Sequence, residues 1–288
     1  MKYIIVTPCK NEDKYIVECI KSIIGQKILP EKWIIVNDNS TDKTKEIILS
    51  YSNLYSWIEL VNYNMCSDER KYGAHIQKVF YYGLNRVSQL NYDFFSLIDA
   101  DIKLPENYFE EVIKCFERYP KVGSCGGKLY NLINGKLEFE DSGQSHIRGA
   151  FKTYRKICFE QLKGFKNVWS WDGLDDMETL FNGWEIKVLD LKIIHLKPTG
   201  TDYNLKNERI MAGKEAYKTR YGFDWIIMKS IQYLFKKPYF WGSFFYLHGY
   251  FIALLKKETK IVDTELGKFI RNFKRKEILD RVLKYVNN

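Results

Sequence analysis

The sequence predicts an α/β fold in which a mostly parallel sheet is flanked by helices. Short apolar runs without a helical period alternate with amphipathic helical patterns at a spacing of about 30 residues, as in βαβ units. After residue 205 the alternation stops, and helical patterns rich in aromatic residues follow. No Gly-x-Gly-x-x-Gly follows the first strand, which argues against the dinucleotide site of dehydrogenases. We expect a catalytic domain over 1–205, with a donor half over 1–105 and an acceptor half over 106–205, and a helical region over 206–288.

The first half of the chain supplies the alternation of strands and helices. Tyr3–Val6 is an apolar run of the kind that forms a buried parallel strand. Within Lys14–Gln26 Ile residues recur at helical spacing, which predicts a helix that packs on that strand. Pro30 separates this helix from the next apolar run. The same two patterns predict strands at Trp33–Val36, Trp57–Val61 and Asp93–Ile98, and helices through Ile47 and Leu49 and at Tyr72–Val87 and Asn107–Arg118.

The patterns after residue 120 are shorter and less regular. Gly123–Leu132 predicts one strand or two, and the polar stretch Ile133–Ile147 predicts a loop that faces the site. Short helices are expected at Tyr154–Leu162 and up to Asn182. The remaining predictions are strands at Lys187–Leu189 and Lys192–Leu196, and helices at Lys206–Tyr221, Asp224–Phe235, Tyr239–Leu255 and Val262–Val286.

Two carboxylates, Asp99 and Asp101, follow the predicted strand Asp93–Ile98 directly. In open α/β sheets, ligands bind at the carboxyl ends of the strands. Two carboxylates this close repel each other unless a cation lies beside them, so the pair predicts a divalent metal that holds phosphates. A solvated acidic turn is the alternative, and the spacing does not decide between the two. His195 also ends a predicted strand, where an imidazole is either structural or a metal ligand.

A second acidic cluster lies between residues 169 and 178, where Asp172, Asp175 and Asp176 accompany two tryptophans. Helix capping by one of these carboxylates would contribute about 1 kcal/mol. Capping accounts for one carboxylate and not for three, so the cluster is a candidate for chemistry.

The 288-residue chain carries a formal net charge of +9, from 45 Lys and Arg against 36 Asp and Glu. This charge indicates attraction to polyanions such as nucleic acid, anionic lipid or phosphorylated substrates. The six cysteines form no Cys-x-x-Cys pair, and we interpret them as reduced thiols of a cytosolic protein. The apolar start Met1–Val6 is too short for a signal peptide, so we expect no export.

Eight short motifs occur in the order and spacing of one known family. They are Thr7-Pro8-x-x-Asn11-Glu12, Ser22-x-x-x-Gln26, Ile34-Ile35-Val36-Asn37-Asp38-x-Ser40-x-Asp42-x-Thr44, Asp99-Ala100-Asp101, Arg148-Gly149-Ala150, Leu162-x-Gly164-Phe165, Asp172–Asp176 with Gly183-Trp184, and His195-x-x-Pro198-x-Gly200. On these residues the chain resembles a family 2 glycosyltransferase of the GT-A fold, which moves a sugar from a nucleotide diphosphate donor to an acceptor. The resemblance covers residues 1–205. Each motif alone is weakly specific, whereas eight in order are quite specific.

The resemblance implies a donor site for a nucleotide-diphospho-sugar. The loop after the first strand, together with Asp38, would hold the base and ribose, and Arg70 or Lys71 would lie near the nucleotide. Many members have Asp-Asp where this chain has Asn37-Asp38, and Asp38 is the position matched to the base contact. The residues implied in donor binding are Thr7, Pro8, Asn11, Glu12, Asp38, Arg70, Lys71, Asp99, Ala100 and Asp101.

The resemblance also implies a divalent metal, Mg²⁺ or Mn²⁺. Asp101 would bind it, Asp99 would lie near the ribose or the metal, and His195 would make a third contact to metal or phosphate. The metal would stabilise the charge that grows on the departing diphosphate. On the acceptor or phosphate side the implied residues are Arg148, Gly149 and Trp171.

One carboxylate of the second acidic cluster would deprotonate the acceptor hydroxyl, and a single base implies an inverting displacement. Counting back from Gly183, the Glu-Asp pair of the family falls on Asp172. A helix start at the cluster favours Asp175 first and Asp176 second. The choice among the three carboxylates stays open at this point.

Tyr239–Leu255 contains no formally charged residue and many aromatic ones. A spanning helix needs about 20 predominantly apolar residues, so we do not expect a span. Aromatic residues between Lys236-Lys237 and Lys256-Lys257 are typical of a helix that lies in the bilayer interface. We therefore expect a cytoplasmic protein held peripherally at the inner face of the cell membrane by anionic lipid. Packing on the catalytic domain, or a dimer contact, is the alternative, and the oligomeric state stays open.

The sequence thus predicts an inverting, metal-dependent glycosyltransferase that acts on a glycan or lipid-linked acceptor. One alternative is a non-catalytic nucleotide- or nucleic-acid-binding protein, although the scattered basic residues argue against a nucleic-acid partner. The other is an enzyme like the sugar-nucleotide pyrophosphorylases. The lack of glycine in Thr7–Glu12 argues against that second alternative.

Overall fold

The computed structural model describes residues 1–64, 74–143, 145–197 and 204–286. Up to Arg118, the strands and helices that the sequence predicts are present, with ends shifted by a few residues. A two-residue strand at Ile102–Lys103, which was not predicted, follows the strand at Phe94–Leu97. In chain order these elements are β1 (Tyr3–Cys9), α1 (Ile16–Ile24), β2 (Lys32–Asn37), α2 (Thr44–Leu54), β3 (Ile58–Asn62), α3 (Ala74–Asn85), β4 (Phe94–Leu97), β5 (Ile102–Lys103) and α4 (Tyr108–Arg118).

The second half of the chain begins with three strands and ends in four helices. Its elements are β6 (Val122–Ile133), β7 (Lys136–Glu140), a 3-10 turn (Gly149–Phe151), β8 (Thr153–Arg155), α5 (Lys156–Gln161), α6 (Trp171–Phe181), β9 (Glu185–His195), α7 (Leu205–Lys218), α8 (Phe223–Leu234), α9 (Phe240–Leu255) and α10 (Thr264–Val286).

Three elements of this half differ from the prediction. The helix expected at Tyr154–Leu162 begins later, at Lys156, because Tyr154 and Arg155 belong to β8. The stretch Ile133–Ile147, expected to be a loop, contains β7, which pairs with β6 as a hairpin. The hairpin turns at Asn134-Gly135, where both residues have positive φ angles of 51° and 77°. Asn-Gly is the preferred pair for such a turn, so the sequence contained a signal for this hairpin. The two strands expected between residues 187 and 196 are one strand, β9.

The strands form one nine-stranded sheet with the order β3-β2-β1-β4-β8-β6-β9-β5, and β7 pairs with β6. β1, β2, β3 and β4 are parallel to one another. β8 is antiparallel to β4 and to β6, and β5 is antiparallel to β9. The sheet is therefore parallel in the first half and mixed in the second. All four parallel strands end at one edge, where the loops that follow them lie together.

A continuous apolar core holds the helices on this sheet. α1 shows the cause, because Ile16, Cys19, Ile20 and Ile23 recur at helical spacing and are all buried. Burying each such isoleucine contributes about 1.5–3 kcal/mol. The four residues of β4 are buried on both faces of the sheet, as the short apolar run predicts, and the one polar residue, Ser96, is hydrogen-bonded to Thr153.

The chain divides into two compact units, Met1–Asn167 with Trp171–Thr199, and Val168–Ser170 with Gly200–Asn288. In the second unit, α7 and α9 approach each other closely through two glycines. A Cβ atom at Gly213 would lie 1.9 Å from the Tyr246 carbonyl oxygen, and one at Gly249 would lie 2.1 Å from that of Ile210. Only glycine allows this separation of the two backbones.

The face of α9 that packs on its neighbours is made of small residues, and its large aromatic residues point outward. Gly242, Ser243, Gly249 and Ala253 are buried along one side together with Tyr246. The opposite side is exposed and carries Trp241, Phe244, Phe251 and Leu255, with exposed fractions of 64%, 56%, 44% and 80%. In the part of the chain that the structure describes, no helix combines the length and hydropathy that crossing a membrane requires.

We predict that Gly249→Ala destabilises the protein, because the added methyl group meets the backbone of α7. Overpacking of this kind costs about 1–3 kcal/mol of the free energy of unfolding. Gly173→Ala is the matched control, since Gly173 is also helical but a Cβ there meets nothing within 4 Å. It should leave stability unchanged or raise it by up to about 1 kcal/mol. Urea denaturation measures both, and equal stability of the two variants would contradict the close helix contact.

Candidate functional site

The loops after β1 and β2 are bound to each other at the carboxyl edge of the sheet. Asn11 has a left-handed backbone with a φ of 55°. Its N–H donates to Ser40 Oγ at 3.0 Å, and its Oδ1 accepts the Thr41 N–H at 2.8 Å. The Glu12 N–H donates to Thr44 Oγ1 at 2.8 Å. The polar residues of these two motifs therefore fix the shape of the loops.

Asp38 directly follows β2, and its buried carboxylate lies beside the side chains of His75 and Lys10. Its Oδ2 lies 2.7 Å from His75 Nε2 and 3.4 Å from Lys10 Nζ. These contacts fix its orientation, and an ionised carboxylate has further acceptor capacity for the N–H groups of a base. The two residues expected nearby, Arg70 and Lys71, lie outside the described residues.

β5 and β9 bring His195 beside Asp101. Ile102 and His195 are partners in the antiparallel pair, and His195 Nε2 lies 3.2 Å from Asp101 Oδ2. Burial and the neighbouring Asp101 raise the pKa of Asp99 to about 7. Burial lowers the pKa of His195, but the hydrogen bond to Asp101 and the nearby carboxylates outweigh it, and the net pKa is raised. The two carboxylates and the imidazole therefore interact as one group at the end of β4.

The side chains at the end of β4 fit a divalent cation that is also coordinated by the phosphates of a substrate. Among the residues that the structure describes, no three His, Cys, Asp or Glu side chains are grouped to hold a metal ion. Asp101 and His195 are in contact, and the pKa of Asp99 is raised by burial first and by the neighbouring Asp101 second. Mg²⁺ and Mn²⁺ accept one or two carboxylates together with substrate phosphates. A metal bound to a nucleotide diphosphate meets this condition.

A buried ion cluster joins α6 to the segment before β8. The Lys152 ammonium is fully buried and donates to Asp175 Oδ1 at 3.0 Å and to Asp176 Oδ1. The Tyr154 hydroxyl donates to the second oxygen of Asp175. Burial lowers the pKa of Lys152, but the two carboxylates outweigh it and raise the pKa to about 12. Lys152 is thus a fixed cation inside the protein.

The three aspartates of α6 differ in exposure. The Asp172 side chain is 20% exposed, whereas those of Asp175 and Asp176 are 3% and 1% exposed. α6 begins at Trp171, so Asp172 lies in the first turn and the other two lie one turn further along. A substrate can reach the first carboxylate without any rearrangement of the buried cluster.

Asp172 is also held ionised by its surroundings. Its Oδ2 accepts the Gly149 N–H at 3.2 Å. Burial raises the pKa of Asp172, but the charges of His146, Arg148 and Lys152 outweigh burial and hold the pKa below its usual range. An ionised, partly exposed carboxylate at a helix start is equipped to accept a proton.

The helix start on which the expected order of the three aspartates was based differs in the structure. We expected Asp175 first and Asp176 second as the base, from a helix start placed at the cluster, but α6 begins earlier, at Trp171. Both oxygens of Asp175 are hydrogen-bonded inside the cluster, and burial raises its pKa to about 7. Asp176 is bound to Lys152 and buried. The geometry leaves Asp172, the third choice, as the accessible carboxylate.

The remaining expected residues differ in what they offer a ligand. The Trp33 indole N–H donates to Thr7 Oγ1 at 2.9 Å inside the core, and Thr7 is fully buried. Ala100 is buried, whereas Pro8 and Glu12 are half-buried at the sheet edge.

Arg148, Gly149 and Trp171 lie together beside α6. Arg148 Nε lies 3.3 Å from Glu140 Oε1, at the end of β7. A Cβ atom at Gly149 would lie 2.5 Å from the Trp171 ring, so only glycine allows the 3-10 turn to approach α6. Gly149 thus lies against Trp171 and Asp172, and the acceptor-side role of Arg148, Gly149 and Trp171 stays a prediction.

Four side chains of this region were not predicted from the sequence. His75 and His146 are two of the four histidines of the chain, and Lys152 and Tyr154 follow Gly149 in an otherwise apolar run. A lysine is almost never fully buried unless it is paired, so a lysine within this largely apolar run was an available signal for an internal ion pair. The missed residues are His75, His146, Lys152 and Tyr154.

Comparison with known proteins concerns the family and the fold of the chain. The profile described as "Glycosyl transferase family 2" matches residues 4–165. The chain is 21% identical over 199 residues to the poly-beta-1,6-N-acetyl-D-glucosamine synthase of Staphylococcus epidermidis, covering 64% of this chain and 45% of that protein. Across the first curated relatives it matches, the chain spans 24% to 45% of their length.

Two solved structures share the fold of the chain. The mannosyltransferase PcManGT of Pyrobaculum calidifontis, in complex with GDP-Man and Mn²⁺, has a TM-score of 0.59 at 14% identity, covering 89% of this chain and 88% of that one. Residues 1–349 of Staphylococcus aureus TarS, in complex with UDP-GlcNAc, give a TM-score of 0.55 at 16% identity, covering 94% and 78%. At these identities the likeness concerns the fold.

We predict that Lys152→Met destabilises the protein strongly, because it leaves two buried carboxylates without their cation. Breaking a buried ion pair in this way costs about 3–5 kcal/mol of the free energy of unfolding. Lys128→Met is the matched control, since Lys128 pairs with an exposed aspartate at 2.8 Å. An exposed pair is worth about 0–1 kcal/mol. Equal losses for the two variants in urea denaturation would show that the Lys152 cluster contributes no more than a surface pair.

Proposed function

The chain belongs to glycosyl transferase family 2, and we propose that it transfers a sugar from a nucleotide diphosphate donor to a glycan or lipid-linked acceptor, with inversion. The observation that carries the proposal is the contact of His195 with Asp101 at the end of β4, on the same sheet edge as Asp38. Ligands of parallel sheets bind at this edge. Family membership also favours transfer over the pyrophosphorylase-like and the non-catalytic alternatives.

The donor side of the site consists of residues already held in place. Asp38 accepts N–H groups of the base, and the bound loops after β1 and β2 enclose it. Asp101 and His195, with Asp99 beside them, are the residues that would hold a divalent metal bound together with the diphosphate. When bound, Mg²⁺ or Mn²⁺ supplies Lewis-acid stabilisation of the charge on the departing diphosphate.

On the acceptor side, Asp172 is the base. The acceptor O–H bond breaks as its proton passes to the Asp172 carboxylate, and the oxygen forms a bond to the anomeric carbon. The bond from that carbon to the diphosphate oxygen breaks at the same time, and its electron pair leaves with the nucleoside diphosphate. One displacement inverts the anomeric configuration. A base must be ionised near neutral pH, and the lowered pKa of Asp172 meets this requirement.

The nucleotide and sugar are proposed only at the level of their class. The two structural neighbours carry a guanosine and a uridine diphosphate sugar, so GDP-mannose and UDP-GlcNAc are the first donors to assay. The name of one relative, poly-beta-1,6-N-acetyl-D-glucosamine synthase, describes a glycan product, which supports a glycan as the acceptor.

We also propose that the outward face of α8 and α9 binds an anionic membrane surface peripherally, at the inner face of the cell membrane. On α8, Phe223, Ile227 and Ile231 recur every fourth residue and are exposed by 59%, 48% and 52%. The aromatic side of α9 adds to this surface. All four lysines at the ends of α9 are exposed, which suits lipid headgroups. They are Lys236, Lys237, Lys256 and Lys257.

We predict that Mn²⁺ increases the stabilisation that UDP or GDP gives the protein, and that Asp101→Asn removes the increase. A ligand at 100 times its dissociation constant adds about 2.7 kcal/mol to the free energy of unfolding. Asp190→Asn is the control, because that aspartate is exposed and pairs with Lys128. Thermal denaturation with each nucleotide, with and without Mn²⁺, is the measurement. If Asp101→Asn responds to Mn²⁺ as the parent does, the metal is bound elsewhere.

Asp172→Asn should lower the rate of transfer by roughly 10²–10⁴-fold, because the general base is lost. Binding of UDP or GDP with Mn²⁺ should stay within a few-fold of the parent value, since Asp172 lies on the acceptor side. The rate is measured as release of nucleoside diphosphate, and NMR of the product should show an inverted anomeric centre. A rate within tenfold of the parent would exclude Asp172 as the base, and a retained configuration would exclude the single displacement.

The full chain should sediment with vesicles that contain phosphatidylglycerol, and high salt should release only part of it. Salt screens the lysines, which contribute about 1 kcal/mol each, but leaves the aromatic contacts. The double variant Trp241→Ser, Phe244→Ser should stay in the supernatant. Leu54→Ser, Phe139→Ser is the control, because both residues are exposed and lie in the other unit. The result that contradicts this prediction is a parent protein that does not bind vesicles but forms a dimer, with the dimer lost in the double variant. The surface would then be a subunit contact.

A further inference from the structure

His146 lies between the buried and the accessible carboxylates of α6. Its Nδ1 lies 2.6 Å from Asp176 Oδ2, and its Nε2 lies 3.8 Å from Asp172 Oδ2. The imidazole comes from the segment between β7 and the 3-10 turn, so it reaches α6 from a different part of the chain. The proposed reaction assigns His146 no part.

The contact with Asp176 fixes the imidazole. Asp176 is buried, and its other oxygen accepts a hydrogen bond from the buried Lys152 ammonium. Because one Asp176 oxygen accepts from the Lys152 ammonium and the other lies 2.6 Å from Nδ1 of His146, we assign the Nδ1 proton to this hydrogen bond. Nε2 is thereby directed to Asp172. Lys152, Asp176, His146 and Asp172 thus form a chain of alternating charge from the interior to the site.

We propose that His146 is a positioning residue for Asp172, which holds the accessible carboxylate ionised and oriented by its positive charge, while Asp176 and Lys152 hold His146 in place. This inference rests on the proposed function, because Asp172 is the base of that reaction. His146 exchanges no proton with the substrate. Its effect on the reaction is the charge that it places beside the base.

The electrostatic consequence follows from the groups around the imidazole. Burial lowers the pKa of His146, but the hydrogen bond to Asp176 and the charges of both aspartates outweigh burial, and the net pKa is raised. The imidazolium therefore persists toward neutral pH, where it holds the pKa of Asp172 low. The charged groups that face His146 or line the same cleft are Asp172 and Asp176 from α6, Lys152 and Arg148 from the segment before β8, and Glu140 and Asp141 from the end of β7.

The competing explanation is a purely structural role, in which the hydrogen bond of His146 to Asp176 only holds its loop against α6. His146→Asn separates the two explanations, because the amide N–H₂ replaces the Nδ1 donor to Asp176 and no positive charge remains. If the role of His146 is purely structural, His146→Asn keeps both the fold and the rate of transfer. If it acts by charge, Asn leaves the protein folded but lets the pKa of Asp172 rise by roughly one to three units, the effect of removing a nearby opposite charge.

The first arm of the test is an NMR titration of the four imidazoles, which needs no substrate. The signal absent from His146→Asn belongs to His146. We expect its pKa to lie above the ordinary value in the parent and to fall in Asp172→Asn and in Asp176→Asn. A His146 signal that titrates identically in the parent and in Asp172→Asn would overturn the proposal.

The second arm is the pH dependence of kcat/KM, measured as nucleoside diphosphate release from UDP-GlcNAc and from GDP-mannose with Mn²⁺. In His146→Asn the acidic limb should move upward by roughly one to three pH units, with a plateau at higher pH within a few-fold of the parent. An unmoved limb, or a rate that falls equally at every pH, would overturn the proposal.

The two arms distinguish failure of this inference from failure of the proposed function. If the parent releases no diphosphate from either donor with any acceptor glycan offered, the proposed transfer fails, and the role of His146 in it fails too. The titration still decides whether His146 and Asp172 are coupled. If the parent is active but the limb does not move, only the inference fails.

Discussion

The ion pairs of the buried Lys152 ammonium with Asp175 and Asp176 are the constraint on which the site depends. They join the segment before β8 to the second turn of α6, and Lys152 also donates to the Asp172 carbonyl at 3.2 Å. One cation thereby fixes the helix whose first turn carries the accessible carboxylate. Replacing this cluster by apolar residues could leave the fold intact, but it would remove the support of His146 and the charge beside Asp172.

The parts of the site that follow a strand end were predictable from the sequence. Asp38 and Asp101 directly follow apolar runs, and a parallel sheet brings such positions to one edge. The ranking within α6 was not predictable, because Asp172 and Asp175 have the same side chain. What separates them is Lys152, twenty or more residues away, and the true start of α6. Sequence spacing near the cluster contains neither fact.

The helical region shows the same limit in a different form. The aromatic content of Tyr239–Leu255 predicted a helix, but not which side of it would be covered. Gly249 and Ala253 face α7 because only small side chains permit the close approach of the two helices, so the large rings are left outside. A large apolar surface of this kind marks an interaction site in a folded protein. The charges at the ends of α9 favour a lipid surface as the partner.

A crystal structure with Mn²⁺ and the nucleotide diphosphate that stabilises the protein more, UDP or GDP, tests the central claim most directly. Mn²⁺ should be coordinated by Asp101 and the diphosphate. The Asp172 carboxylate should face the terminal phosphate across an open acceptor cleft, and Asp175 should still be paired with Lys152. A metal bound away from Asp101, or Asp175 turned out of the cluster toward the phosphate, would contradict it.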